Sequence, residues 1–235
     1  MNHRLVFAHG TGRAGPAAWP EQTKLPVDCA FVTLPGYGDD SPRRTNMDAW
    51  VDTLYAASQQ PVHLIAYSYG AIPAVLAAGQ APGWCRSLLL FEPATYSLAR
   101  GRRSVEAHIQ RLSPVLHDAA SIDTATFWAR YLTALTGSPA PLALTSQERV
   151  TAERFRLLTP PWSHQLPPAV FATVPTLVVS GDWNAEYEEV AEALVTLGAH
   201  HRILRGCGLA SLTIPAPTSW SLAGPAPTTK GPATK

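Results

Sequence analysis

The sequence is poor in cysteine, in charge and in long apolar runs. Its 235 residues hold three cysteines, Cys29, Cys85 and Cys207, an odd and widely spaced set without a CxxC pair. Such a set excludes a disulfide framework and argues against a zinc or other metal site. Charged residues make up only 15% of the chain, the net charge is +1 and the Lys and Arg residues are scattered. We therefore expect no basic face that would bind nucleic acid.

Long hydrophobic segments are also missing. No apolar run reaches the roughly 18 residues that a membrane-spanning helix needs. The first ten residues are too polar, and their apolar stretch is too short, for a secretory signal peptide. These absences predict a cytoplasmic protein with no membrane partner, whereas the oligomeric state stays open.

What the sequence does contain is an alternation of short apolar runs with helical patterns. Hydrophobic residues make up 46% of the chain, enough for one domain with a modest insertion. Runs that are apolar along their whole length are typical of strands buried on both faces of a parallel sheet. The pattern predicts an α/β fold, with a mostly parallel sheet flanked by helices. The predicted strands are 4–8, 29–34, 62–67, 87–91, 175–180 and 201–204.

The alternation is interrupted between residues 94 and 168. This segment has no convincing strand, and helical patterns cover 104–116, 124–135 and 147–158. We interpret 94–168 as an inserted helical cap on a core formed by 1–93 and 169–208. Residues 209–235 are rich in Pro, Thr and Ala without an apolar period, which predicts a disordered tail.

A serine stands where the third predicted strand passes directly into a helix. The segment reads Ala66-Tyr67-Ser68-Tyr69-Gly70. A catalytic serine needs such a sharp strand-to-helix turn, with small neighbours that let the turn close, and the usual pattern is G-x-S-x-G. Here Ala66 replaces the first glycine, and Gly70 keeps the second. Ser68 is therefore the predicted nucleophile.

A glycine-containing loop follows the first predicted strand. His9-Gly10-Thr11-Gly12 is a weak signal alone but a stronger one ahead of Ser68. An acyl-transfer intermediate needs two N–H donors around its oxyanion. We assign these donors to Thr11 and Tyr69, with His9, Gly10 and Gly12 supporting the loop.

Together these segments resemble the α/β-hydrolase superfamily. The HG loop, the YSYG turn and the strand ends LLLFEP and TLVVSGD carry the likeness, which is closest to small bacterial serine esterases with a helical cap. The resemblance implies a triad in the order Ser, acid, His, no cofactor, and a small-molecule substrate bound between sheet and cap.

The triad acid has two candidates. Asp182 follows the late strand, where the superfamily most often carries its acid, but the usual G-x-x-D spacing here ends on Asn184. Glu92, after the strand that follows Ser68, is the alternative. Asp182 could instead cap the next helix, and Glu92 could be a solvated residue before Pro93.

The histidine of the triad is missing. The superfamily's G-x-G-H here reads Gly206-Cys207-Gly208-Leu209, and no histidine follows His201. Leucine cannot accept a proton, so activity is expected to be impaired. We interpret His108, His117 and His164 as surface residues of the cap. A shifted reading frame near codon 209 and a true pseudoenzyme both explain the loss, and either removes the last core helix and exposes one sheet face.

The predicted function is that of a serine hydrolase that cleaves a small apolar ester or related bond through an acyl-enzyme. Two alternatives remain. The chain could be a catalytically dead binding protein, or a C–C hydrolase or cofactor-free haloperoxidase-like member. The cap aromatics Phe127, Trp128, Tyr131, Phe155 and Trp162 are expected to pack the cap core rather than line a pocket.

Overall fold

The computed structural model describes residues 4–205 and forms a six-stranded sheet. All the strand pairs are parallel, and the strand order is β2-β1-β3-β4-β5-β6. The predicted class of a parallel sheet flanked by helices is confirmed. The strands are β1 Arg4–Ala8, β2 Cys29–Val32, β3 Val62–Tyr67, β4 Cys85–Phe91, β5 Thr176–Ser180 and β6 His200–Ile203.

Seven α-helices accompany this sheet within residues 4–205. They are α1 Met47–Ala56, α2 Ala71–Gln80, α3 Arg103–His117, α4 Thr124–Thr136, α5 Ser146–Arg156, α6 Val170–Thr173 and α7 Ala185–Thr196. Side chains begin several of them: Asn46, Asp123, Thr145 and Asn184 each accept a hydrogen bond from a backbone N–H of the first turn. No helix in this part of the chain is long and apolar enough to cross a membrane.

The two faces of the sheet are covered differently. Alternate residues such as Val6, Leu64, Leu90 and Val178 pack against side chains of α1, α2 and α7 in one large core cluster. We call this the helix face. Its opposite, the Trp19 face, carries the intervening residues Phe7, Ile65, Phe91 and Val179 and packs on Ala18 and Trp19. Over residues 4–205, no α-helix contributes to that second cluster.

The segment between β4 and β5 is helical, as the break in the pattern predicts. Helices α3, α4 and α5 lie there, and α3 packs on α4 and on α7. A small apolar core of its own includes Phe127, Trp128 and Ala152. This segment faces the carboxyl ends of the strands, where ligands bind in open α/β sheets.

Some predicted boundaries move by one to three residues. Strand β2 ends at Val32 rather than residue 34, and β4 begins at Cys85 rather than 87. The helix predicted directly after Ser68 opens with a 3-10 turn, Ser68–Gly70, before α2 begins. The predicted disordered tail, 209–235, lies outside the described residues.

Candidate active site

Ser68 lies at the end of β3 and opens the 3-10 turn that leads into α2. Its backbone has a φ of 51°, a left-handed conformation that costs a non-glycine residue about 1–3 kcal/mol. This geometry turns the chain sharply, and Ser68 is partly exposed to a cavity that Thr11 and Tyr69 also line. The N–H of Tyr69 lies in the first helical turn, where backbone donors have no intrahelical acceptor. The two predicted oxyanion residues therefore border the same space as Ser68.

The turn at Ser68 and the loop after β1 are packed closely together. A Cβ on Gly70 would lie 2.2 Å from the carbonyl oxygen of His9, which is far too close. A Cβ on Gly10 would lie 2.8 Å from the ring of Tyr67 and 3.0 Å from Cβ of Ser68. Both positions thus require glycine. Gly12 differs, because its nearest neighbour would be the hydroxyl of Tyr67 at 3.9 Å.

His9 is fully buried and holds this loop in place. Its Nδ1 is 2.6 Å from the carbonyl oxygen of Gly10, and its Nε2 accepts a hydrogen bond of 3.0 Å from the N–H of Leu34. Burial lowers the pKa of His9 to about 4, so the ring is neutral with its proton on Nδ1. Both nitrogens are occupied, which suits a bracing role and leaves neither nitrogen available to Ser68.

Three neighbouring strands end in the same strained conformation. Ser68 follows β3, Glu92 follows β4 and Asp182 follows β5, with φ values of 51°, 41° and 58°. These are the non-glycine residues with positive φ in the part of the chain described. Such strain persists where the surrounding structure enforces it, and it is common at functional sites. The candidate nucleophile and both candidate acids are thereby set apart from the rest of the backbone.

The two candidate acids have contrasting surroundings. Glu92 is buried, and its Oε1 accepts a hydrogen bond from the indole N–H of Trp183. Asp182 is exposed, and its Oδ2 accepts a hydrogen bond of 2.8 Å from Nε of Arg205. Neither carboxylate lines the cavity beside Ser68 as residues 4–205 form it, although Trp183 does. The choice between the two acids stays open.

Both of the alternative roles for these acids are wrong. Glu92 is only 4% exposed, so it is not a solvated residue before Pro93. The cap of α7 is Asn184, whose side-chain oxygen accepts from the N–H of Glu186, so Asp182 does not cap that helix. Instead, the backbone N–H of Asp182 donates to Oε1 of Glu188 at 2.9 Å.

A cavity of about 540 Å³ opens beside Ser68, between the strand ends and helices α3 to α5. Four of the five cap aromatics, Trp128, Tyr131, Phe155 and Trp162, contribute to its wall, while Phe127 is fully buried. The expectation that these aromatics only pack the cap core is thus wrong for four of them. Three of the four, Trp128, Tyr131 and Phe155, also belong to the small cap core, so packing and lining are not exclusive.

The histidines predicted at the cap surface divide into three environments. His117 is exposed as expected. His164 is half-buried, with its Nε2 2.8 Å from the hydroxyl of Tyr69, and burial lowers its pKa. His108 is only 6% exposed and lines the cavity. The surface interpretation is therefore wrong for His108 and His164, because the sequence does not show how the cap helix of His108 and the loop of His164 pack on the rest of the fold.

No imidazole of residues 4–205 forms a hydrogen bond with the hydroxyl of Ser68. His200 and His201 begin β6, and Nε2 of His201 is 2.6 Å from the hydroxyl of Ser180. Leu209, which occupies the expected histidine position, lies outside the described residues. Within residues 4–205, Ser68 therefore borders the cavity together with Thr11 and Tyr69, and no imidazole is bonded to its hydroxyl.

Sequence patterns do not predict one group of residues that lines the cavity. Tyr96, His108 and Glu186 are polar residues among those that line the cavity. Glu186 looks like an ordinary acidic residue in the first turn of a helix. Only the approach of α3 to α7 brings it beside His108.

A model of the Alpha/beta hydrolase family matches residues 5–217. Among solved structures, an alpha/beta hydrolase from Sphaerobacter thermophilus is 20% identical with a TM-score of 0.58, covering 88% of this chain and 86% of its own. MenH from S. aureus is 17% identical with a TM-score of 0.60, covering 88% and 86%.

A third similar structure, carboxylesterase CesB from Bacillus subtilis, is 18% identical with a TM-score of 0.60, covering 91% of this chain and 79% of its own. No curated protein matches the sequence. At these identities, the structural likeness establishes the fold and leaves the substrate open.

Proposed function

This chain belongs to the alpha/beta hydrolase family, and from that premise we propose that it is built as a serine hydrolase for a small apolar ester or related bond. One observation carries the proposal: Ser68 is held in a strained turn and lines a largely apolar cavity. Cavities of this size, lined by aromatic and aliphatic side chains, suit small ligands with apolar bodies.

In the proposed reaction, the hydroxyl oxygen of Ser68 attacks the ester carbonyl carbon and forms an acyl-enzyme as the alcohol leaves. The negative charge that develops on the carbonyl oxygen is stabilised by the N–H groups of Tyr69 and Thr11. The close packing at Gly10 and Gly70 fixes these two donors relative to Ser68, which is the pre-organisation that such stabilisation requires. Water then hydrolyses the acyl-enzyme.

We further propose that turnover by this chain is weak. The sequence has no histidine after His201, and position 209 is leucine. A serine hydrolase without its base keeps only the contributions of the oxyanion donors and of binding, roughly 10³–10⁴ over the uncatalysed rate. A shifted reading frame near codon 209 accounts for the loss, and the nucleotide sequence of that region tests this cause: an intact frame would overturn it.

The test of the nucleophile is hydrolysis of p-nitrophenyl butyrate by the protein and by Ser68→Ala. We expect a slow rate that Ser68→Ala reduces to background. Added imidazole should raise the rate of the parent protein by at least severalfold, because it supplies the missing proton acceptor. The same imidazole should not accelerate the Ser68→Ala variant beyond solution catalysis. Equal rates for the two proteins, with and without imidazole, would refute a catalytic Ser68.

A second candidate function is ligand binding without turnover, and it is favoured because no imidazole of residues 4–205 is bonded to Ser68. A fluorophosphonate probe separates the two functions when combined with the imidazole experiment. Labelling of Ser68 together with imidazole-stimulated turnover supports an impaired hydrolase. Ligand binding with neither labelling nor stimulation supports a binding protein. A C–C hydrolase or haloperoxidase-like reaction would use the same residues, and substrate screening distinguishes it.

A further inference from the structure

A compact polar group interrupts the apolar wall of the cavity. Most of the wall near the cap is aliphatic or aromatic, including Leu112, Leu116, Trp128, Leu132 and Phe155. Tyr96, His108 and Glu186 lie together on another part of the wall. All three are at least 94% buried. Burying polar and charged groups beside a ligand cavity is costly unless they are paired, so their arrangement requires an explanation.

The carboxylate of Glu186 is satisfied by the protein itself. The hydroxyl of Tyr96 donates to its Oε1 at 3.1 Å. Its Oε2 lies 2.7 Å from Nδ1 of His108 and 3.8 Å from the guanidinium of Arg111. Both oxygens therefore have a donor or a cation close by within the protein, and neither needs a ligand as a partner.

The imidazole of His108 is different, because its two ring nitrogens have unlike surroundings. Nδ1 is enclosed and close to Glu186, although its N–H does not point squarely at the carboxylate. Nε2 has no hydrogen-bond partner within residues 4–205 and, unlike Nδ1, is not fully enclosed. A carboxylate beside Nδ1 favours the proton on that nitrogen. Nε2 is then left as a hydrogen-bond acceptor in a side chain that lines the cavity.

The ring of His108 is held firmly in this orientation. Its centroid is 4.9 Å from that of Tyr96 and 6.1 Å from that of Trp162. Tyr96 follows Ala94 by two residues, and the N–H of Ala94 donates to the carbonyl oxygen of Ser68 at 3.0 Å. The polar group is thus a neighbour of the candidate acyl site and shares one cavity with it.

We propose that Nε2 of His108, oriented by Glu186 and Tyr96, is a binding subsite that accepts a hydrogen bond from a hydroxyl group on an otherwise apolar ester. This inference rests on the proposed function and names its substrate class. A purely apolar ligand would displace water from Nε2 and leave it without a partner, which disfavours binding. A carboxylate on the ligand would add a second negative charge beside Glu186, where Arg111 is half-exposed.

The test compares two esters that differ by one hydroxyl, methyl 4-hydroxyphenylacetate and methyl phenylacetate. Binding is measured by isothermal titration calorimetry in a Ser68→Ala background, so that no turnover intervenes. We expect the hydroxylated ester to bind about tenfold more tightly, in line with one buried hydrogen bond. Adding His108→Phe should abolish this preference while methyl phenylacetate still binds.

The matched control is His117→Phe, the same substitution at an exposed position of helix α3, which should keep the tenfold preference. Glu186→Gln is the second variant and serves if His108→Phe fails to fold. It retains an oxygen that can accept from Tyr96, and it leaves no buried charge. It should reduce the preference to less than about threefold by removing the group that orients His108.

Each outcome separates this subsite from the proposed catalysis. No preference in the Ser68→Ala protein overturns the subsite, as does a preference that survives in a folded His108→Phe or Glu186→Gln variant. A preference that depends on His108 supports it, even if the parent protein neither hydrolyses p-nitrophenyl butyrate nor reacts with a fluorophosphonate. A parent protein that shows neither hydrolysis nor fluorophosphonate labelling would overturn only the proposed reaction at Ser68.

Discussion

Helices α1, α2 and α7 cover the helix face of the sheet, whereas the Trp19 face is covered, within residues 4–205, by the segment around Ala18 and Trp19. On the helix face, buried aliphatic residues interlock with three helices. On the other face, partly buried side chains such as Leu89 and Leu177 border a much smaller cluster. Among the described residues, one side of the sheet is therefore thickly covered and the other is covered by few residues.

The candidate active site shows a similar contrast between a closely packed part and a part that lies outside the described residues. Helix α2, which begins at the turn of Ser68, belongs to the thickly covered side, and the parts of the site tied to it are closely packed. The sequence predicts that the segment after β6 has lost both the triad histidine and a core helix, and this segment begins beyond the described residues. We propose that one change in the C-terminal segment explains both the predicted loss of the histidine and the thin cover that the Trp19 face has within residues 4–205.

The largest effect that tests this contrast is expected at Trp19. Its side chain is fully buried, with ring centroids 5.1 Å from Phe7, 5.4 Å from Tyr67 and 6.3 Å from Phe91. Trp19→Ala should lower the free energy of unfolding by about 3–5 kcal/mol, because it leaves a large cavity under the main cover of that face. Urea unfolding followed by far-UV circular dichroism measures the loss.

Trp19→Phe is the matched control for that substitution. It keeps an aromatic ring and removes an indole N–H that is buried without a hydrogen-bond partner among the described residues. We expect it to cost less than about 1 kcal/mol, since the unpaired donor disappears with part of the ring. A loss of several kcal/mol for Trp19→Phe, or almost none for Trp19→Ala, would contradict the view that this ring covers the Trp19 face.

On the helix face, the sharpest prediction concerns Gly70. The added methyl of Gly70→Ala would meet the carbonyl oxygen of His9 at 2.2 Å, and a backbone oxygen cannot move aside without shifting β1 or α2. We expect a loss of about 3 kcal/mol in unfolding free energy. Gly12→Ala is the control, because its methyl would have 3.9 Å of clearance, and it should change stability by less than about 0.5 kcal/mol. Equal melting temperatures for the two variants would contradict the close packing.

Sequence reasoning reaches the fold and the sharp turn at Ser68 because both depend on local patterns. Whole-length apolar runs predict the parallel strands, and a serine between a strand and a helix marks the turn at Ser68. The unequal cover of the two faces is not visible in this way. A strand that is apolar along its whole length has two apolar faces, because successive side chains point to opposite sides of the sheet. Its sequence does not say what packs on either face.

The polar group in the cavity could not be predicted for a related reason. His108 and Glu186 are 78 positions apart, and their contact depends on how α3 crosses α7. The choice of acid also stays unresolved, because Glu92 and Asp182 share the same strand-end geometry. Periodicity and spacing describe one element at a time, whereas these features arise where elements meet.

A pH effect of up to about 3 kcal/mol is expected from His9. Its pKa falls from 6.5 to about 4 on folding because the ring is desolvated, so the unfolded chain binds a proton that the folded protein does not. The corresponding stability is complete above pH 6.5 and is lost as the pH falls toward 4, at up to about 1.4 kcal/mol per pH unit. Urea unfolding at intervals from pH 7.5 to 4.5 measures it.

The control for the pH effect is His9→Gln, which can occupy the same site without titrating. The variant should start less stable at pH 7.5, because Gln cannot reproduce both hydrogen bonds of the ring. The stability of the variant should then fall less steeply as the pH is lowered. Between pH 6.5 and 4.5, its unfolding should take up close to one proton fewer than unfolding of the parent protein. Parallel curves for the two proteins would show that His9 is not the group responsible.

The smallest effect is expected at the two candidate acids. In a complete triad the carboxylate acts by orienting the histidine and stabilising its charged form, and triad members lose their separate effects when one is absent. Since no imidazole within residues 4–205 bonds to Ser68, Glu92→Gln and Asp182→Asn should each change the slow hydrolysis of p-nitrophenyl butyrate by less than about threefold. Loss of a hundredfold or more in one variant would identify the acid. It would also show that a histidine still partners Ser68, because the triad carboxylate acts on the reaction through that histidine. The Ser68→Ala rate sets the floor for both measurements, and unfolding curves show whether Glu92→Gln, the buried member of the pair, remains folded.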